Sequence, residues 1–483
     1  MKPMDIDLLS IQEARILIEN AREAQKILAA FPQEKLDGIV KCMASEASKY
    51  ARELAVMSSE ETGFGKWQDK WVKNIFASDF LYQKIKNMKV VGIIAEDQEN
   101  KTMDIGVPVG VIVALVPSTN PVSTTIYKAL IAIKSGNAIV FSPHPKADKT
   151  IGRVLDILIR AAEDSGLPPG ALAYLHTITT DGTVELMKHK DTALLLVTGV
   201  PKMVKAAYAS GKPVIYGGPG NGPAFIERSA DIKQAAADII ASRTFDNGIV
   251  SASEQSIVVE ACIADEARLE LKRNGAYFLT EKDSEELSQL FLRPDGSINP
   301  EIVGKSAVDL AQKIGLSLPD DVKVLVSEQK YVSPTNPYSR EKLCPVLAFY
   351  IEKDWLNACE KCIELLLNDG RGHTLVIHSR DDHVIREFAL KKPVSRVLVN
   401  TPSALGGIGA TTNLFPALTL GCGAAGGGFT SDNVSPMNLI NIRKVGYGVR
   451  KLEDITKGIQ HSQENEPDLK EQLENLLEQL LNK

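Results

Sequence analysis

Apolar positions recur at helical spacing over residues 11–31, 33–49, 51–62 and 67–88, so the chain is expected to open with helices. The period then shortens. Residues 90–94 and 102–107, on either side of the turn-prone Gln98-Glu99-Asn100-Lys101, read as a strand hairpin. From Gly110 onward, continuous apolar runs at 111–116, 138–141, 172–178 and 193–197 alternate with helical stretches that end at Lys134 or cover 148–165. Such runs are expected of parallel strands buried on both faces. The alternation predicts a doubly wound α/β domain with ligands at the carboxyl ends of its strands. A second α/β region follows, with a helix over 232–243, a strand over 256–259, and strands at 322–327, 346–351, 374–378 and 396–400. A late strand is expected over 439–445. After Lys451 a polar linker (460–467) leads to residues 469–481, where leucines 469, 473, 476, 477, 480 and 481 fall on one face of an amphipathic helix.

Composition narrows the class without naming it. With 483 residues, 44% hydrophobic and 24% charged, the chain fits roughly two to four domains of ordinary soluble protein. A net charge of −6 and the lack of a basic stripe give no surface for nucleic acid. No apolar run is long enough to span a membrane, and the first residues lack the apolar core of a signal peptide, so a cytoplasmic location is expected. Six scattered cysteines suit a reducing compartment. Cys359 and Cys362 have C-x-x-C spacing inside a helical pattern with no second pair, which favours helix packing over a metal or redox site, and no metal centre is expected.

The informative stretch is Thr244-Phe245-Asp246-Asn247-Gly248-Ile249-Val250-Ser251-Ala252-Ser253-Glu254-Gln255-Ser256. Its Asp-Asn-Gly is a tight-turn triplet between a helix and a strand, a place that presents side chains to a cleft. This segment resembles the nucleophile loop of CoA-acylating aldehyde dehydrogenases, which reads FDNG, two apolar residues, Cys, a small residue and SEQS. Ser251 stands at the place of the Cys. The resemblance runs from about Leu17 to Val449. It implies an aldehyde dehydrogenase-like α/β fold: a variant Rossmann cofactor domain over 1–230, with the 90–107 hairpin serving oligomerisation, and an α/β catalytic domain over 231–435. An oligomerisation strand over 436–450 and the linker and helix of 451–483 complete it. No G-x-G-x-x-G follows the first strand, and Gly217-Gly218-Pro219-Gly220-Asn221-Gly222 has other spacing, but the resembled superfamily binds nicotinamide cofactors without that fingerprint.

The resemblance also implies roles. Asn120, within Pro117-Ser118-Thr119-Asn120-Pro121, matches the oxyanion-binding Asn; a plain turn residue is the alternative. Pro117, Ser118, Thr119, Thr198, Gly199 and Glu341 match cofactor contacts, as do Ser142, Pro143, His144 and Gly217. Ser142 stands where hydrolytic relatives have a ribose-binding Lys, and Gly217 where they have the Glu that activates water. Both departures suit an enzyme that passes its acyl group to CoA. His373 and Cys422 are candidates for the substrate or CoA site. The implied reaction takes a short-chain aldehyde, CoA and NAD or NADP to acyl-CoA through a covalent intermediate, in a homodimer or larger homo-oligomer. The C-terminal helix is read as a peptide for a microcompartment shell or cargo partner, as a helix packed on its own oligomer, or as a frayed end. Ser251 opposes activity, because a hydroxyl needs a strong adjacent base where a thiol does not. Either a Cys was exchanged for Ser in a catalytic parent, or the member has lost or altered the covalent step. A non-catalytic nucleotide- or CoA-binding assembly protein and a serine esterase are the competing readings.

Overall fold

The computed structural model describes residues 5–199, 201–319, 321–456 and 469–482. It divides into a larger unit, Met1–Val91 with Val107–Asn441, and a smaller one, Gly92–Gly106 with Ile442–Lys483.

The larger unit opens with the expected helices Ile6–Leu28, Gln33–Lys49 and Ala51–Thr62. The fourth run is Trp67–Ile75, then a π turn at Phe76–Phe80, then Leu81–Ile85. The first α/β layer is a five-stranded parallel sheet ordered Leu172–Tyr174, Ala138–Ser142, Val111–Leu115, Thr192–Thr198, Val214–Gly217. The order reverses about Val111–Leu115, as in a doubly wound fold. The strand expected over 172–178 stops at Tyr174, because the His176 and Thr177 amides leave the sheet to donate to the Glu13 carboxylate at 2.7 and 2.9 Å.

Helix Pro121–Lys134 is buried at every position. Its Lys128 has no carboxylate partner among the described residues; Nζ donates to the carbonyls of Leu115 (2.7 Å) and Leu196 (2.9 Å), joining the carboxyl ends of the two central strands. Burial holds its pKa well below the usual lysine value.

A seven-stranded parallel sheet forms the second layer, ordered Ala276–Phe278, Val324–Glu328, Val346–Glu352, Ser256–Glu260, Pro223–Ile226, Gly372–His378, Val394–Val399. Pro223–Ile226 already belongs to this sheet, so the chain passes between the layers at 218–222. Arg396, 4% exposed, clamps the sheet to the glycine-rich segment after it. Its guanidinium donates to Thr374 Oγ1 (3.0 Å) and to the carbonyls of His373 (3.0 Å), Gly421 (2.7 Å) and Ser431 (3.1 Å).

The smaller unit contributes to a three-stranded sheet of Gly92–Asp97, Thr102–Pro108 and Ile440–Gly446. The hairpin is antiparallel, as expected, but its first strand begins at Gly92 rather than Val90. The Val90 and Val91 amides donate instead to Gln33 Oε1 (2.8 and 2.9 Å), which holds that backbone off the ladder. Helix Leu469–Leu481 has the expected bounds, and Leu473, Leu476, Leu477, Leu480 and Leu481 are all exposed. The expected linker at 460–467 lies outside the described residues. Among the described residues, no helix is long and apolar enough to cross a membrane.

Arg396→Met strips three buried acceptors, Thr374 Oγ1 and the His373 and Gly421 carbonyls, of their donor while keeping apolar volume. It is expected to lower stability by about 2–4 kcal/mol, read as a drop in the urea midpoint at unchanged slope.

Candidate active site

Helix Ile232–Thr244 ends in a turn whose residues Asp246, Asn247 and Gly248 have φ of 49°, 52° and 73°. Left-handed backbone at a non-glycine residue is unfavourable by about 1 kcal/mol or more, less for Asn and Asp. Side-chain bonds compensate. Asn247 Nδ2 donates to the Gly304 carbonyl at 2.8 Å. The Asp246 carboxylate, fully buried, accepts from the Lys66 amide (2.7 Å), Lys70 Nζ (3.1 Å) and Lys73 Nζ, while its own amide donates to Asp69 Oδ2 (2.8 Å). Burial alone would push the Asp246 carboxyl up; Lys73 and Lys70 outweigh it and hold the group below the ordinary aspartate value. Lys70, desolvated beside them, falls to about 8.

Beyond the turn, the SEQS segment serves as an anchor. Buried Arg243 donates to Ser253 Oγ (2.9 Å) and Gln255 Oε1 (3.0 Å). Glu254 accepts from the Ser403 amide at 2.9 Å, and burial raises its pKa to about 7. Between these anchors, Ser251 is the one residue from Asp246 to Glu260 that is not buried.

The Gly217–Gly222 turn meets this loop from the other side. A Cβ on Gly220 would fall 1.6 Å from the Ser251 carbonyl oxygen, one on Gly218 2.7 Å from Cys422 Sγ, and one on Gly222 2.5 Å from the Thr374 carbonyl. Only glycine allows that approach. The Gly220 amide donates to Glu341 Oε1 at 2.9 Å. Burial, with Asp369 nearby, lifts the Glu341 pKa to about 8, so it is largely protonated at neutral pH. Thus the glycine-rich segment brings together Ser251, Glu341, Cys422 and the strand that starts beside His373. That seam was not legible in the sequence, where the segment reads as an off-pattern glycine motif and Gly217 as the place of a missing base.

The remaining candidates follow strands of the five-stranded sheet at its carboxyl edge: Pro117, Ser118, Thr119 and Asn120 after Val111–Leu115, Pro143 and His144 after Ser142, and Gly199 after Thr198, with Gly217 ending the last strand. Several of their polar groups are engaged within the protein. Ser142 Oγ pairs with Thr183 Oγ1 (2.8 Å), Thr198 Oγ1 with Thr419 Oγ1 (3.2 Å), and His144 Nδ1 accepts from the Lys146 amide (3.1 Å). Pro143 lines a pocket of about 300 Å³ with Gly152, Tyr174 and His176. His373 is buried with neither ring nitrogen partnered; burial, then the nearby Arg396, lowers its pKa to about 3. It is therefore neutral and is not hydrogen-bonded to Ser251. No thiol stands in for Ser251: Cys422 and Cys344 are buried and raised by desolvation, Cys344 to about 11.

Asn120 is the N-cap of helix Pro121–Lys134, yet its side chain makes no capping bond. Its Oδ1 accepts instead from Lys73 Nζ, and Lys70 Nζ donates to the Thr119 carbonyl at 3.0 Å. The helix Trp67–Ile75 thus bridges the Asn120 turn and the Ser251 loop, a bridge that sequence reading missed. Along the sequence Lys70 and Lys73 look like solvated residues of a helix whose Trp71 and Val72 are themselves exposed.

An aldehyde dehydrogenase family model matches residues 4–285. The chain belongs to the aldehyde dehydrogenase family. A probable aldehyde dehydrogenase from Listeria monocytogenes EGD-e is 56% identical and superposes with a TM-score of 0.92, covering 94% of this chain and 100% of that one. An acetylating aldehyde dehydrogenase from Geobacillus thermoglucosidasius is 48% identical with a TM-score of 0.91, covering 93% of this chain and 99% of that one. The bifunctional aldehyde-alcohol dehydrogenase AdhE of Escherichia coli (strain K12) is 40% identical over 441 residues, which make up 90% of this chain and 49% of that protein. The chain spans about half the length of that curated relative. The fold of this aldehyde dehydrogenase family member is the one its nucleophile-like loop implied.

Glu341 supplies a pH test. Its folded-state pKa of about 8 lies above the ordinary glutamate value of 4.5. Its protonated form therefore contributes stability that is complete below about pH 4.5 and is lost as pH rises through about 8. Glu341→Gln keeps an acceptor for the Gly220 amide without titrating. It is expected to gain on the parent from pH 5 to 9, by at most ~1.4 kcal/mol per pH unit, in urea midpoints measured across that range.

Proposed function

We propose that this fold serves CoA-acylating oxidation of a short-chain aldehyde with NAD or NADP, and that Ser251 occupies the nucleophile's position. The observation that carries the reading is the loop itself: one half-exposed residue held between buried anchors and seated on Gly220. A thiolate at that position would attack the aldehyde carbonyl, forming a C–S bond and an oxyanion. Asn120 Nδ2 and the backbone amide of residue 251 are the donors proposed for that charge. The chemistry supplied by a bound nicotinamide is acceptance of a hydride. The CoA thiol then attacks the thioester, releasing acyl-CoA and the enzyme thiolate.

The acceptor follows from what the cleft lacks. A side chain at Gly217 would meet only the Leu420 backbone and Thr419. With no carboxylate in that place, an acyl intermediate waits for a thiol rather than for water. The carboxyl edge carrying Pro117, Ser118, Thr119, Pro143, His144, Gly199 and Glu341 is the proposed cofactor edge. The two unpartnered nitrogens of buried His373 fit a polar ligand, since such groups are costly to leave unmade. Cys422 beside Gly218 is proposed to line the same cleft.

Ser251→Cys is expected to give NADH formation with acetaldehyde or propionaldehyde and CoA at least about a hundredfold above the parent chain, given how weak an unactivated hydroxyl is. A Cys form inert to a panel of short aldehydes would falsify this reading.

A second reading rests on Ser251 together with the exposed leucine face of Leu469–Leu481. The chain would then act as a nucleotide- or CoA-binding assembly partner, in a homo-oligomer or with a microcompartment shell or cargo protein. Removing the residues after Lys451 is expected to abolish such association in size-exclusion chromatography while NADH binding by fluorescence stays within about twofold; equal loss of both counts against a separate assembly role.

A further inference from the structure

We propose that Lys73 is a positioning residue that orients and polarises the Asn120 amide, and that Asp246 keys this orientation to the nucleophile loop. The inference rests on the function proposed above and adds residues to its oxyanion site.

Lys73 is 2% exposed and has two acceptors, Asp246 Oδ2 and Asn120 Oδ1. An ammonium carries only donors. Asn120 must therefore turn its carbonyl oxygen toward Lys73, which sends Nδ2 the opposite way. That nitrogen makes one long contact, to Thr119 Oγ1 at 3.4 Å, and no capping bond to its helix. It remains available as a donor. Without Lys73 the two amide orientations would differ little, and the wrong one would present an oxygen to a developing negative charge.

Orientation is the first effect and polarisation the second. A chain of ammonium, amide oxygen, amide N–H and oxyanion strengthens each link, more so away from water. The third element is register. Asp246 lies five positions before Ser251 in sequence, so the carboxylate that holds Lys73 moves with the nucleophile loop. A plain buried ion pair would need no more than Lys70, which already meets Asp246 Oδ2 at 3.1 Å. Each lysine has one further acceptor, the Thr119 carbonyl for Lys70 and Asn120 Oδ1 for Lys73, and of the two it is Lys73 that reaches the amide.

The test uses Ser251→Cys as background and two reagents. Acylation by p-nitrophenyl acetate forms a C–S bond, passes through an oxyanion and expels p-nitrophenolate. Alkylation by iodoacetamide forms a C–S bond and expels iodide with no oxyanion. Lys73→Met is expected to slow acylation about ten- to hundredfold, within the range for losing an oxyanion donor, while alkylation changes less than about threefold. A merely structural lysine would slow both together, which overturns the proposal, as does unchanged acylation. In Asn120→Ala, Lys73→Met is expected to slow acylation no further, because the lysine acts through that amide. Independent, multiplying effects overturn it also. A Ser251→Cys protein that is alkylated but never acylated overturns the functional reading and this inference with it; normal acylation in that background, insensitive to Lys73→Met, overturns this inference alone.

Discussion

The site depends on one close approach, that of the Gly220 backbone to the Ser251 carbonyl, where a single methyl group would collide at 1.6 Å. Two parallel sheets end at this contact, and neither alone makes a cleft. The five-stranded sheet provides a carboxyl edge, and the seven-stranded sheet holds the loop bearing Ser251. Gly217 to Gly222 let the crossing chain lie flat against that loop, against Thr374 and against Cys422. Side chains there would wedge the layers apart and open the cleft to water. That would weaken every electrostatic interaction within it.

A loop held so closely also needs a defined backbone, and Asp246-Asn247-Gly248 supplies an unfavourable one. Three consecutive left-handed residues persist only where their surroundings over-determine them. Here the compensation is electrostatic and buried. Asp246 has two ammonium groups and an amide, while Asp69 receives its own N–H. Buried ion pairs of this kind are poor sources of stability but good sources of geometry, since a partner lost leaves an uncompensated charge. The SEQS residues work in the same sense. Arg243 and Ser403 fix them, so the loop has no slack on either side of Ser251.

Much of this was legible along the chain, and the gaps have physical causes. Helices Gln33–Lys49, Ala51–Thr62 and Leu469–Leu481 match the periodicity at both ends, because one face of each is apolar and the other polar. The strands Val214–Gly217 and Pro223–Ile226 escaped because four residues carry too little period. Tyr174 and Gly92 mark strand ends that periodicity misjudged, since Glu13 and Gln33 claim the adjoining amides from distant helices. The turn around Asp246 could be foreseen from Asp-Asn-Gly. Its lysine partners could not, because Lys70 and Lys73 are nearly two hundred positions away and look like ordinary solvated residues until the fold buries them. Likewise nothing in a six-residue glycine motif says that it faces a carbonyl rather than a phosphate.

The arrangement bears on what a serine at position 251 means. A serine esterase needs a base against its hydroxyl, and the buried histidine on the seam, His373, is neutral, with neither ring nitrogen hydrogen-bonded among the described residues. Glu341 and Glu254, buried acids in the loop's support, each have one oxygen committed to a backbone amide. Among the described residues, no histidine or carboxylate is hydrogen-bonded to the Ser251 hydroxyl. Under the proposed function, the groups placed to act on a substrate carbonyl are a loop held between buried anchors, an amide donor without a cap to make, and a cation behind that amide. Those features have no use around an inert hydroxyl. They suit a nucleophile that is already partly ionised at neutral pH, which a thiol is and an alcohol is not. On the function proposed above, these surroundings would serve a cysteine at position 251 better than the serine that stands there.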